Sequence, residues 1–86
     1  MALQSPDMEK YREHAEYLAQ VVTVRDDHII INVNHEYNIP LASCRTHGEI
    51  LSWVLHLTEK TWMSTEILRR FILVACHQNK LEVPHV

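Results

Sequence analysis

Apolar residues recur along this chain with two different periods. Met8, Tyr11, Ala15, Leu18 and Val22 follow one another at steps of three and four, the spacing of one helix face. Ser5 is a suitable N-cap, Pro6 suits the first helical position, and Asp7 and Glu9 favour the positive end of the helix dipole. Glu9, Arg12, Glu13 and Glu16 take the other side. The pattern predicts a helix over residues 6–20.

The period then drops to two. Val21, Val22, Thr23 and Val24 are followed by Ile29, Ile30, Ile31 and Val33, β-branched residues that favour strands. Arg25-Asp26-Asp27-His28 between them reads as the turn of a hairpin. Ile29, Ile31 and Val33 share one face of the second strand, and Ile30, Asn32 and Asn34 the other, so one side of the sheet is expected to be buried. Asn34-His35-Glu36 is a candidate second turn. Tyr37, Ile39 and Leu41 alternate again, and Pro40 limits this third segment to an edge.

Helical spacing returns at Thr46-His47-Gly48-Glu49, a capping box in which Thr46 and Glu49 would each bond the other's amide. A helix over residues 47–59 follows, with Ile50, Trp53, Val54 and Leu57 as its main stripe, widened by Leu51 and Leu55. Ser64 caps a last helix over residues 65–79, carrying Ile67, Leu68, Phe71, Ile72 and Ala75 at core spacing. Leu73, Val74 and Cys76 fill much of its remaining circumference, and Arg69 and Arg70 are the charges at its middle. The tail from Leu81 should be extended or frayed. The order predicts a single small α+β domain over residues 1–86: an N-terminal helix, a small antiparallel sheet made of a β-hairpin with a possible third edge strand, and two C-terminal helices packed on one face.

Composition narrows the function classes. The 86 residues are 47% hydrophobic and 22% charged, with a formal net charge of −3. Mild acidity disfavours binding to nucleic acid or anionic membranes by bulk charge. A single glycine, Gly48, excludes phosphate loops built on glycine-rich turns. The longest uninterrupted apolar run, residues 71–76, is far short of the ~20 residues of a membrane span. The first six residues lack the basic start and apolar run of a secretory signal, and two cysteines are too few for a disulfide scaffold. The expected location is the cytoplasm, with Cys44 and Cys76 as free thiols.

Seven histidines, His14, His28, His35, His47, His56, His77 and His85, raise the question of metal. Cys44-x-x-His47 and Cys76-His77 are the nearest approaches to ligand pairs, but there is no Cys-x-x-Cys and no His-x3-His, and adjacent residues on a helix point ~100° apart. No metal or other cofactor is expected. Protonation of all seven would carry the net charge from −3 to about +4, which leaves room for pH-dependent assembly. As a nucleophile, Cys44 would have Arg45 beside it to lower its pKa, whereas Cys76 lies in the most apolar stretch. Asp26-Asp27 reads as turn chemistry. None of these amounts to an enzyme signature, and no small-molecule substrate is expected.

The surplus of apolar surface around the last helix points instead to protein binding. Trp62, Met63, Arg69, Arg70, Leu73 and Val74 are the expected interface, since tryptophan, methionine and arginine are enriched at interface centres. The expected partner is a second copy, as a homodimer, or a larger protein on which this one acts as an accessory or inhibitor. The alternative is a dimeric DNA-binding regulator that uses Arg45, Arg69, Arg70 and Lys80.

Overall fold

The computed structural model describes residues 16–84. Residues 16–21 are helical, in line with the end of the predicted helix over residues 6–20; residues 6–15 of that expectation lie outside the described residues. The chain then forms strands β1 (Val22–Arg25), β2 (His28–Asn32) and β3 (Glu36–Pro40), a 3-10 turn (Leu41–Ser43), and helices α1 (His47–Leu57) and α2 (Thr65–Gln78). The sheet is antiparallel, in the order β1-β2-β3. The third segment therefore joins the sheet as an edge strand, where Pro40 costs no ladder bond.

Alternation explains the layering. Val22, Val24, Ile29, Ile31, Tyr37 and Ile39 fall on one face by register. Ile29, Ile31 and Ile39 are fully buried, against a core completed by Ile50 and Leu57 of α1 and by Ile67, Phe71, Ala75 and Cys76 of α2. Val33 falls in the bend after β2 and is half-buried against this core.

Each junction is closed by backbone chemistry. The hairpin has a two-residue loop, Asp26-Asp27, with φ of 53° and 61°. Positive φ at both positions is the requirement of a type I′ turn, which asparagine and glycine usually meet. Thr46 Oγ1 accepts from the Glu49 amide at 3.1 Å, but Glu49 Oε1 accepts from the Arg45 amide, one residue earlier than a reciprocal capping box would have it. Ser64 Oγ accepts from the Ile67 amide at 3.2 Å.

Helix α2 ends in a full Schellman motif: Leu81 N–H donates to Cys76 O, and Lys80 N–H donates to His77 O. Lys80 occupies the left-handed position, with φ of 56°, that glycine usually takes. The segment after α2 is thus anchored: Leu81 packs on the core, and His47 Nε2 lies 2.7 Å from Glu82 O. No described helix is long and apolar enough to cross a membrane.

Candidate functional site

Helix α2 is neither swallowed nor bare. Ile67, Phe71, Ala75 and Cys76 are buried, and Leu68, Ile72 and Val74 are half-buried against the core. Thr65, Glu66, Arg69, Arg70, His77 and Gln78 form its exposed side. Of the apolar residues that the sequence leaves off its core stripe, Cys76 is buried and Leu73 and Val74 are half-buried.

The six expected interface residues fall on two sides of the domain. Arg70, Leu73 and Val74 line an open groove of about 480 Å³, together with Val22, Thr23 and Val24 of β1. His77, Gln78 and Val83 complete its wall. Val22, Thr23 and Val24 are consecutive and alternate between the two faces of β1, so the groove follows the strand. Among the described residues, β2 is the only strand paired with β1. Val24 is 40% exposed in this groove. Arg70 pairs with no described carboxylate, since the one ion pair among the described residues is Arg25–Glu36.

Trp62 and Met63 lie elsewhere, half-buried against the core. The Trp62 ring tilts at 56° against Tyr37 of β3, with centroids 5.6 Å apart, and Lys60 Nζ sits 5.4 Å from the Tyr37 centroid. These contacts screen the β3 side of the sheet. Arg69 is exposed but outside the groove.

The four cations of the DNA-binding alternative are also divided. The Asn79 amide donates to the carbonyls of Leu41 and Cys44, at 3.2 and 2.9 Å, which sets Arg45 and Lys80 on neighbouring backbone. Arg69 and Arg70 sit about ten residues up α2 from Lys80, roughly 15 Å at helical rise.

Cys44 and Cys76 are free and buried. Burial pushes the Cys44 thiol up, the Ser43 hydroxyl pulls slightly the other way, and the Glu49 carboxylate adds to the rise. This corrects the expectation that Arg45 would activate Cys44: desolvation outweighs a cation whose side chain stays in solvent. Burial likewise raises Cys76. Among the described residues, no three His, Cys, Asp or Glu side chains come together to hold a metal ion. His14 and His85 lie outside the described residues.

One surface is missed by sequence reasoning. Leu51 and Leu55 of α1, read as a widening of its buried stripe, are 58% and 64% exposed, the most exposed large apolar side chains among those described. Helical rotation explains it: they lie about 100° and 140° from Ile50, beyond the arc that a single layer can cover. A helical wheel drawn from Ile50, rather than a count of apolar residues, would have separated them. Comparison with protein-family models, curated proteins and solved structures returns no match for this chain.

Proposed function

We propose that the protein is a small non-enzymatic interaction module whose groove beside β1 takes an extended segment of a larger protein. The observation that carries this reading is an open strand edge bordered by an apolar wall. Val22, Val24, Leu73, Val74 and Val83 supply apolar contact, and β1, paired among the described residues with β2 alone, supplies the backbone donors and acceptors of its other edge. An added strand would satisfy those groups through main-chain bonds and set its alternate side chains against the wall. Arg70 gives the groove its charge, so the favoured segment alternates apolar residues with carboxylates.

The reading keeps Arg70, Leu73 and Val74 of the expected interface and leaves Trp62 and Met63 to packing. It favours a larger protein over DNA, because the groove holds one arginine and five apolar side chains.

Selection from a displayed library of random extended peptides tests it. Enriched peptides should alternate apolar and acidic residues, perturb the amide resonances of β1, and lose binding on Arg70→Glu or on placing proline in the peptide. Enriched peptides that map away from β1, or selection that yields none, would refute it.

A further inference from the structure

The exposed face of α1 has a pattern of its own. Gly48, Leu51, Ser52 and Leu55 fall within about 100° of one another on the helical wheel, opposite Ile50 and Leu57. Two leucines stand proud on it, and two small residues sit beside them. Gly48 is not required by the fold. Its φ is not positive, and a Cβ built there would meet only Thr46 Oγ1, at 3.9 Å. Gly48 is the second residue of α1, and no other heavy atom lies within 4 Å of where its Cβ would stand. Ser52 Oγ donates to Gly48 O at 3.1 Å, so its hydroxyl is satisfied within the helix and can be covered without loss.

We infer that this face is a self-association surface, on which a second copy of the chain packs its α1 antiparallel, with Leu55 of each helix over Gly48 of the other and Leu51 over Ser52. A two-fold axis between residues 51 and 52 generates both pairings at once. Each knob meets a hole, as an isologous interface requires. A parallel pairing would instead stack leucine on leucine and glycine on glycine, and align the two helix dipoles.

Charge agrees with the antiparallel choice. Exposed Arg45 stands before the N-terminus of α1 and exposed Glu59 beyond its C-terminus. Neither enters an ion pair among the described residues, and the two-fold brings each to the other's partner. Small residues let the axes approach at the close end of the 8–10 Å range. The contact spans three turns and covers well under the ~800 Å² per partner of a standard interface, so the dimer is transient and concentration-dependent.

This surface is separate from the β1 groove, so the two proposals fail independently. Sedimentation velocity from 10 µM to 1 mM tests this one, starting from the monomer mass of 10.1 kDa. The expected result is a rise toward twice that mass, and Leu51→Glu with Leu55→Glu should abolish it without unfolding exposed positions. Gly48→Leu should weaken association by about tenfold or more while raising the melting temperature, because it fills the hole but improves helix propensity. Gly48→Cys and Leu55→Cys chains, oxidised as a mixture, should cross-link to each other and not to themselves. A mass that stays at the monomer value through 1 mM, a dimer indifferent to both glutamates, or Leu55→Cys chains that link to themselves would overturn it.

Discussion

Arg25 and Glu36 meet across the full diagonal of the sheet's outer face, with Nη2 and Oε1 3.1 Å apart. Arg25 stands at one corner, paired with His28 in the register; Glu36 stands at the opposite corner, paired with Asn32. The row midway between them is Thr23–Ile30–Asn38, so the pair passes over Ile30. This accounts for a side chain that points away from the core yet is only 3% exposed. Arg25 and Ile30 border the same shallow cavity, and long charged side chains commonly lay their aliphatic stems over apolar neighbours.

Both ends of that pair are half open to solvent, so its own coupling is small. A double-mutant cycle on Arg25→Ala and Glu36→Ala should give under about 1 kcal/mol, and less again in 1 M salt. Each single variant should also expose Ile30. Denaturant unfolding at low and high salt, with Ile30→Thr as a third variant, separates the two contributions: the charge part fades with salt, and the cover over Ile30 does not.

Asn79 is expected to matter more than its exposed neighbours. Its amide bonds the Leu41 and Cys44 carbonyls and thereby joins the end of α2 to the turn that leads into α1. Asn79→Ala leaves the Cys44 carbonyl without this donor and the Leu41 carbonyl with the Cys44 amide alone, and should cost about 1–3 kcal/mol. Equilibrium unfolding in urea checks this; a cost near zero would mean that water replaces the amide without penalty.

Two left-handed residues are open to improvement. Asp27 and Lys80 hold φ of 61° and 56°, where a Cβ is strained by roughly 1–2 kcal/mol. Asp27→Gly yields the Asp-Gly pair that type I′ turns prefer, and Lys80→Gly yields the usual Schellman residue. Each should raise the melting temperature, net of the extra chain entropy of glycine, and Asp27→Val should lower it. Calorimetric scans of the three variants give the comparison directly.

The thiols set an alkaline limit. Burial raises both Cys44 and Cys76 in the folded chain, so the unfolded chain releases its thiol protons first as pH rises. Their contribution is whole below the unfolded thiol pKa of about 8.5 and declines as pH climbs from there through the raised folded values. Cys44→Ala and Cys76→Ala should each flatten this decline between pH 8 and 10. Alkylation of the native protein at pH 8 should be slow at both positions and rapid after denaturation.

Much of the fold is legible in the residues. The capping side chains Thr46 and Ser64, the change of period after Val22, and Pro40 in the third strand each act locally, and each element appears where its chemistry puts it. The turn is also local, though shorter than the four polar residues suggest, because Arg25 and His28 pair within the ladder. Long-range relations were not legible. The cover over Ile30 depends on sheet register, the exposure of Leu51 and Leu55 depends on which arc of α1 meets the core, and the neutral state of Cys44 depends on tertiary burial. The groove needs both β1 and α2, forty residues apart in the chain, so only half of the expected interface gathers in it.

The sheet's two rims are built differently. At β3, Pro40 removes a donor and Trp62 stacks on Tyr37; at β1, no further strand pairs among the described residues. Among the described residues, strand-by-strand growth therefore has its opening at β1. Two molecules that met through that side would turn their blunted rims outward, and the ribbon would stop at six strands rather than lengthen into a fibre.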